Sequence, residues 1–129
     1  LELAGGISEQ PAKLLLGGPM MGIAQSSLDV TVMKNTSGIL LIANDEVSLF
    51  TSEPCIRCGR CAEVCPAQLL PQQLMWHARA DDLEKAEAAH LFDCIECGCC
   101  AYVCPSNIPL TQYFRIAKAI NRERIALAG

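Results

Sequence analysis

The pattern of hydrophobic and polar positions divides the chain into two parts. In residues 1–50, short apolar runs are bounded by turn residues, as is typical of β-strands. In residues 51–129 the strand signals fade, and apolar residues recur at the spacing of α-helices. The pattern therefore predicts an α+β protein with one domain in residues 1–50 and a second, mainly helical domain in residues 51–129.

The first part contains several short strand candidates. Turn residues surround each of them, and a few short strands need neighbours to bury both faces. We therefore expect an incomplete sheet, preceded by the end of a helix that Gly5-Gly6 would stop. The predicted strands cover residues 13–16, 29–33 and 38–42, with a weaker one at 47–49, and the helix end covers residues 2–4.

Helical spacing in the second part predicts two consecutive helices between the main clusters of cysteine. The first covers residues 69–79 and has Pro71 in its first turn, where proline is tolerated. Asp81 or Asp82 can cap the second helix, which is predicted to run through Ala89.

The strongest helical pattern covers residues 110–127, with Thr111 as the expected N-cap. Phe114, Ala117 and Ile120 are expected on one side of this helix, followed by Arg124. Basic residues lie toward its C-terminal end, where they interact favourably with the helix dipole.

Composition excludes several classes of function. A net charge of −4, a pI near 5.1 and 5% aromatic residues argue against a nucleic-acid partner. The longest apolar run, at residues 39–43, is far shorter than the roughly 20 residues that a membrane span needs. No secretory signal pattern is present. Because the chain begins at Leu1 without Met, we expect it to be a segment of a longer protein.

The cysteines form two copies of one motif. The chain has nine cysteines, all between Cys55 and Cys104, and an odd number without a secretory signal disfavours a disulfide framework. The segments from Cys55 to Pro66 and from Cys94 to Pro105 align without gaps, and both read C-x2-C-x2-C-x3-C-P. Ile, Gly, Ala and Val recur at the same offsets, so the second part contains an internal repeat.

This spacing is typical of two-cluster ferredoxins. Three cysteines spaced three apart in a curled loop can contact three corners of one iron–sulfur cube, and the fourth cysteine, before the proline, binds the other cube. Gly59 and Gly98 are expected to have positive φ, which brings the loop N–H groups near the sulfides. The sequence thus predicts two [4Fe–4S] clusters with crossed ligation, the first held by Cys55, Cys58, Cys61 and Cys104 and the second by Cys94, Cys97, Cys100 and Cys65.

Other interpretations of these residues stay open. A pair of four-cysteine zinc sites is the main alternative, although zinc sites usually use separated C-x2-C pairs. The ninth cysteine, Cys99, is interpreted as a small buried residue behind the loop, with an alternative ligand as the second possibility. His77 and His90 are expected at helix surfaces or in packing roles. No catalytic motif is present, so the chain alone is not predicted to be an enzyme.

Motifs beyond the cysteines extend the pattern to a known family. The chain contains Gly-Gly-Pro-Met-Met-Gly at residues 17–22 and Leu-Leu-Pro-Gln-Gln-Leu at residues 69–74. It also contains Cys-Pro-Ser-Asn-Ile-Pro-Leu at residues 104–110, followed by Tyr-Phe-Arg at residues 113–115. With the Cys-Ile-Arg-Cys and Cys-Ile-Glu-Cys segments, nearly the whole chain resembles the RnfC/RsxC family of the Rnf/Rsx electron-transport complex.

The resemblance implies a place in a bacterial inner-membrane complex. That complex is a translocase that couples electron flow between ferredoxin and NAD to ion movement. RnfC/RsxC proteins are peripheral members of it on the cytoplasmic side. The implied partners are an iron–sulfur subunit, integral membrane subunits and a ferredoxin-type carrier, with no nucleic acid.

The resemblance also implies how the two parts fold. Residues 1–50 would be the C-terminal part of a β-grasp domain of the soluble-ligand-binding type. Residues 51–129 would be an α-helical ferredoxin domain with two [4Fe–4S] clusters. FMN and NAD are expected only upstream of this sequence. The alternatives are an iron–sulfur subunit of another dehydrogenase or of a heterodisulfide-reductase-like complex, and a zinc-stabilised interaction module.

Overall fold

The computed structural model of the protein describes residues 5–46 and 51–128. The chain contains two compact units, one within Leu1–Phe50 and the other within Thr51–Gly129. The first contains a small antiparallel sheet, and the second contains helices. The prediction of an α+β protein is therefore confirmed.

The sheet of the first unit has three strands, β1 (Lys13–Leu16), β2 (Ile23–Gln25) and β3 (Ile39–Ile42). Their order is β2-β1-β3, and both pairs are antiparallel. Leu15 in the central strand pairs with Ala24 on one side and with Leu40 on the other. Because two strands flank β1, it carries the buried residues of this sheet, Leu14 and Leu15. The strands predicted at 13–16 and 38–42 are confirmed.

The strand predicted at residues 29–33 is wrong. This segment is irregular, and it ends in a turn in which Met33 N donates to Thr36 Oγ1 and Thr36 N donates to the Met33 carbonyl oxygen. Val32 and Met33 are both more than 60% exposed, so neither apolar side chain is buried. β-Branched composition alone therefore did not make a strand here. The predictions at residues 2–4 and 47–49 lie outside the described residues.

The sequence did not predict β2, which has three residues that are exposed or half-buried. The chain enters β2 through a tight turn in which Gly22 N donates to the Gly18 carbonyl oxygen at 2.7 Å. A Cβ at position 22 would lie 2.5 Å from that oxygen, so the turn requires glycine there. The Gly-Gly-Pro-Met-Met-Gly segment is thus the turn that aligns β2 with β1.

The second unit is built from short helices around one long helix. The helices are α1 (Arg60–Glu63), α2 (Pro71–Arg79), α3 (Leu83–Ala88), α4 (Cys99–Tyr102) and α5 (Leu110–Ala128). Helix α2 packs against α3 and α5, and the short helices α1 and α4 pack against each other. A 3-10 turn, Leu91–Asp93, follows α3.

The helices predicted between Cys65 and Cys94 are confirmed. Pro71 is the first residue of α2, where its missing N–H costs no helical hydrogen bond. Asp82 is the N-cap of α3, and its carboxylate accepts a hydrogen bond from Lys85 N at 3.1 Å.

Helix α5 is confirmed, but two details of its prediction are wrong. It begins at Leu110, so Thr111 is its second residue rather than its N-cap, and Thr111 Oγ1 is buried without a hydrogen-bond partner among the described residues. Ile120, predicted on the inner face, is 43% exposed. The buried face includes three polar residues, which a hydrophobic pattern does not identify. It consists of Leu110, Thr111, Phe114, Ala117, Lys118 and Asn121.

The buried side chains of the second unit form one core between α2, α3, the 3-10 turn and α5. Leu74, Met75 and Phe114 are each 1% exposed, and Leu91 is fully buried. Cys100 belongs to this core, and five further cysteines pack against it. No helix in the described part of the chain is both long enough and apolar enough to span a bilayer.

Candidate metal centre

The two cysteine motifs have the same succession of irregular, helical and turn residues, at an offset of 39 residues. Gly59 has φ 81° and ψ −14° before α1, and Gly98 has φ 84° and ψ −7° before α4. Both glycines have a left-handed backbone conformation, so the predicted positive φ is confirmed. The sequence repeat is therefore also a structural repeat.

Non-glycine residues adopt left-handed backbone at matching positions too. Arg57 and Glu96 both have φ 57°, and Gln68 and Asn107 have φ 53° and 51°. A left-handed conformation at a residue with a Cβ costs roughly 1–2 kcal/mol. Strained backbone of this kind concentrates at functional sites. The sequence did not predict this conformation at Arg57, Glu96 and Gln68, because these residue types seldom adopt it. Asparagine is enriched in left-handed backbone, so Asn107 was the available signal.

Each loop lines one cavity, and each cavity also contains the last cysteine of the other motif. The first cavity has a volume of about 170 Å³, and its further lining includes Gln72, Met75 and Trp76 from α2. Its cysteines are Cys55, Cys58, Cys61 and Cys104.

The second cavity is smaller than the first, with a volume of about 20 Å³. Leu74 of α2 and Phe114 of α5 form its apolar side. Its cysteines are Cys65, Cys94, Cys97 and Cys100.

The structure thus sorts eight of the nine cysteines into two sets of four. Thiolates are soft ligands that select iron–sulfur clusters, zinc or copper(I), and a [4Fe–4S] cluster takes four of them. The donor set of each cavity fits such a cluster in number and chemistry. Among the described residues, no three or more His, Cys, Asp or Glu side chains form a site for a single metal ion.

Backbone and side-chain groups hydrogen-bond to thiols in both cavities. Cys65 Sγ accepts from Leu69 N, and Cys94 Sγ accepts from Glu96 N, both at 3.4 Å. In the first cavity, the Cys61 thiol donates to Gln72 Oε1 at 3.4 Å. Hydrogen bonds to ligand sulfurs are one of the factors that set cluster reduction potentials.

Burial keeps several of these thiols protonated when no metal is bound. It raises the pKa of Cys61 and Cys94, and it raises the pKa of Cys100 to about 12. For Cys94 the Glu96 N–H and the charge of Lys118 oppose this effect by lowering the pKa. A thiolate-binding metal must therefore displace protons when it enters these cavities.

Cys99 lies outside both cavity linings as the first residue of α4. It is half-buried, so its prediction as a buried residue behind the loop is wrong. A hydrogen bond with Cys97 and, to a lesser extent, burial raise the pKa of the Cys99 thiol. The backbone turn at Gly98 places this side chain beside the loop rather than in the core.

The two histidines lie away from the cavities. His77 is half-buried on α2, and His90 is exposed before the 3-10 turn. His90 Nδ1 lies 3.2 Å from Asp93 Oδ2. Neither histidine lines the first or the second cavity, as expected for surface and packing residues.

Charged residues distinguish the two loops. Glu96 Oε1 accepts from Lys118 Nζ at 3.0 Å, and Glu96 Oε2 accepts from Arg115 Nε at 3.1 Å. At the matching position of the first loop, the Arg57 guanidinium lies 5.4 Å from the centre of the Trp76 ring. We call the contacts among Glu96, Arg115 and Lys118 the Glu96 ion-pair network.

The sequence repeat places Glu96 and Arg57 at matching positions of the two loops, but it does not reveal their partners. The available signal was Lys118, a charged residue four positions after Phe114 on the inner face of a helix. A cation at such a position usually has a buried partner.

Burial of Glu96 acts to raise its pKa, but Lys118 and Arg115 have the larger combined effect. Their hydrogen bonds and charges hold the pKa of Glu96 below its ordinary value. The carboxylate is therefore ionised at neutral pH, and the network contains two positive charges and one negative charge.

Comparison with known proteins identifies related sequences. A family model described as "4Fe-4S dicluster domain" matches residues 54–108. The chain is 56% identical over 122 residues to the C subunit of the ion-translocating oxidoreductase complex of Yersinia pestis bv. Antiqua, an alignment that covers 92% of this chain and 19% of that protein.

Proteins with the same name from two other bacteria are similar. The one from Edwardsiella ictaluri is 57% identical over 107 residues, which cover 82% of this chain and 13% of that protein. The one from Erwinia tasmaniensis is 50% identical over 135 residues, which cover 99% of this chain and 17% of that protein. The chain spans less than a fifth of the length of these relatives.

These alignments include both the sheet-forming unit and the cysteine loops, and they confirm the resemblance inferred from the sequence motifs. The 4Fe-4S dicluster match covers both cysteine motifs. This chain is thus homologous, over nearly its whole length, to a segment of the C subunits of the ion-translocating oxidoreductase complexes, the RnfC/RsxC family.

Proposed function

We propose that the second unit is an electron-transfer module that holds two [4Fe–4S] clusters. The observation that carries this proposal is the sorting of eight cysteines into two cavities with four thiols each. The match to a 4Fe-4S dicluster domain supports it independently. When bound, such clusters accept and release single electrons.

The proposed ligands cross between the motifs. The first cavity takes its fourth thiol from the second motif, and the second cavity takes its fourth thiol from the first. The cavity linings support the assignment of Cys55, Cys58, Cys61 and Cys104 to one cluster and of Cys94, Cys97, Cys100 and Cys65 to the other.

The chain's own residues position these thiols and limit access of water. Leu74 and Phe114 form an apolar side of the second cavity, and Met75 does the same for the first. The left-handed glycines let the loop reverse direction between successive cysteines. In the first cavity Cys58 is exposed, whereas Cys100 in the second is buried.

For residues 1–50 we propose the C-terminal part of a β-grasp domain of the soluble-ligand-binding type. The three-stranded antiparallel sheet supports a sheet-based domain. A sheet of three short strands leaves apolar residues such as Ile23 and Ile39 exposed, as expected when further strands come from elsewhere in a longer protein.

We further propose that the whole protein is a peripheral subunit on the cytoplasmic side of the bacterial inner membrane. Its complex would couple electron transfer between ferredoxin and NAD to ion movement. The partners would be an iron–sulfur subunit, integral membrane subunits and a ferredoxin-type carrier. FMN and NAD would bind elsewhere in the longer protein. The support is the name shared by the relatives.

Metal and sulfide analysis of anaerobically prepared protein tests the cluster proposal. We expect about eight iron and eight acid-labile sulfide per chain, together with the paramagnetic spectrum of two interacting clusters after reduction. Two zinc ions per chain would support the zinc-stabilised module instead. Four iron per chain would limit the proposal to one cavity.

A separate experiment tests the proposed complex. Affinity purification of the full-length protein from bacterial membranes under anaerobic conditions is expected to recover integral membrane subunits and NADH-dependent electron transfer. Recovery with a soluble dehydrogenase or with heterodisulfide-reductase-like subunits would favour those classes instead.

A further inference from the structure

The Glu96 ion-pair network connects the second cysteine loop to α5. Lys118 Nζ donates both to Glu96 Oε1 and to the carbonyl oxygen of Cys94. Arg115, three residues earlier on α5, donates to the other oxygen of Glu96. A single helix thus holds the loop through one of its cavity-lining cysteines and through the residue two positions later.

The Glu96 ion-pair network is largely buried, and burying its charges has a desolvation cost that reduces its contribution to folding stability. The side chain of Lys118 is 5% exposed, and those of Glu96 and Arg115 are 27% and 22% exposed. Removing an ammonium group from water costs several kcal/mol, which its partners offset only in part. Because apolar residues often replace buried ion pairs without loss of stability, stability alone does not explain a charged residue at this position.

The first loop has a different charge arrangement at the matching position. Arg57 replaces Glu96 there, and its guanidinium lies over the face of Trp76. Arg57 is exposed, so solvent screens its charge, whereas Lys118 acts from a buried position. The two loops share a backbone conformation but differ in local electrostatics.

We propose that the charges of Lys118 and Glu96 set the reduction potential of the cluster in the second cavity. This inference rests on the proposed function, because it requires a [4Fe–4S] cluster in that cavity. Reduction adds one electron and hence one negative charge. The ammonium of Lys118 stabilises that added charge, and the carboxylate of Glu96 opposes it.

Two substitutions are expected to shift the potential in opposite directions. Lys118→Met removes a positive charge and lowers the potential of the second cluster. Glu96→Gln removes a negative charge but keeps an oxygen that can accept from Lys118, and it raises that potential. Each change is on the order of tenfold in the one-electron equilibrium, which corresponds to about 59 mV.

The experiment is a potentiometric titration of the anaerobically prepared full chain, followed by electron paramagnetic resonance. The electrode supplies the electron, and the signal of the second cluster is the one that Cys65→Ser removes. Lys118→Arg is expected to retain the wild-type potential, since it keeps the charge. Glu123→Gln, an exposed carboxylate on the same helix, is the matched control and is expected to change neither cluster.

Opposite shifts in Lys118→Met and Glu96→Gln, confined to the second cluster, support the proposal. Unchanged potentials, or shifts in the same direction, overturn it. If the Lys118→Met protein lacks the second cluster, the Glu96→Gln protein provides the test. A raised potential of its second cluster supports the proposal, and loss of that cluster overturns it. Wild-type protein without iron contradicts the proposed function itself, before any variant is compared.

Discussion

Cys65 lines the same cavity as Cys94, although the two residues belong to different copies of the cysteine motif. Cys65 follows α1, and its sulfur accepts a hydrogen bond from Leu69 N before α2 begins. Cys104 has the corresponding place after α4 and lines the first cavity. This exchange makes each site depend on both halves of the second unit.

The crossed arrangement predicts which cluster a substitution removes. Cys65→Ser is expected to abolish or destabilise the cluster in the second cavity, because serine is a much poorer ligand for iron than a thiolate. Cys104→Ser is expected to do the same in the first cavity. Iron content and the paramagnetic spectrum of each variant measure the loss.

Cys99→Ser is the control for these two variants. Cys99 lines neither cavity, so this substitution is expected to leave about eight iron per chain. Loss of the first cluster in Cys65→Ser would contradict crossed ligation and would assign each motif its own four ligands.

Phe114→Ala is expected to destabilise the second unit strongly. Phe114 is 1% exposed and contributes both to the core and to the wall of the second cavity. Truncation of such a side chain costs about 3–5 kcal/mol. Chemical denaturation followed by circular dichroism measures this change.

Ile116 provides a control on the same helix. It is 58% exposed, so Ile116→Ala is expected to change the free energy of unfolding by only about 0.5 kcal/mol. Equal effects of Phe114→Ala and Ile116→Ala on the free energy of unfolding would show that the face of α5 that contains Phe114 is not the buried one.

Gly59→Ala tests the left-handed turn of the first loop. An alanine Cβ would meet no heavy atom within 4 Å, so backbone conformation alone should cause its cost. At φ 81° we expect a loss of roughly 1–2 kcal/mol and faster release of the first cluster on heating. Cluster absorbance during thermal unfolding measures both.

Gly18→Ala is the corresponding control, because its Cβ also lies in open space but its φ is not left-handed. It is expected to leave cluster release unchanged. Wild-type behaviour of Gly59→Ala would show that the loop tolerates a side chain at this φ.

The Asp82 cap predicts a pH dependence of stability. Hydrogen bonds from the Lys85 side chain and backbone N–H lower the pKa of Asp82 from its usual 3.8. Because the folded pKa lies below the unfolded one, the cap contributes fully above about pH 3.8. That contribution is lost as the pH falls through the lowered pKa.

Asp82→Asn keeps a side-chain oxygen that can accept from Lys85 N but loses the ion pair with Lys85 Nζ at 2.6 Å. Wild-type protein is therefore expected to be more stable than Asp82→Asn at neutral pH, and the difference should vanish at acid pH. Denaturation curves of both proteins across pH measure it. A difference that stays constant across pH would contradict the role of the carboxylate charge.

Periodicity and capping predicted most of the helical unit from the sequence. Pro71 and Asp82 each marked a helix start through a local rule that the structure confirms. The repeat of the cysteine motifs likewise predicted two matching loops with left-handed glycines. These features depend on residues close in sequence, which is why the sequence shows them.

Features that depend on tertiary contacts were harder to predict. Val32 and Met33 have strand-like composition, but no neighbouring strand pairs with them in the described region. Lys118 lies on the inner face of α5 because Glu96 and the Cys94 carbonyl oxygen are there to receive its hydrogen bonds. Helical periodicity can place Lys118 on the inner face of α5, but it cannot identify partners that lie more than twenty residues away.

The exchange of cysteines between the two cavities also has a consequence for biosynthesis. A nascent chain that has emerged from the ribosome only as far as Pro66 contains three of the four thiols of the first cavity and one of the second. Neither set of four thiols is complete until the second motif has been translated, and the set of the first cavity is complete only when Cys104 has been added. If these two sets hold the proposed clusters, cofactor loading would follow synthesis of most of the unit, and a product truncated before the second motif would contain neither cluster.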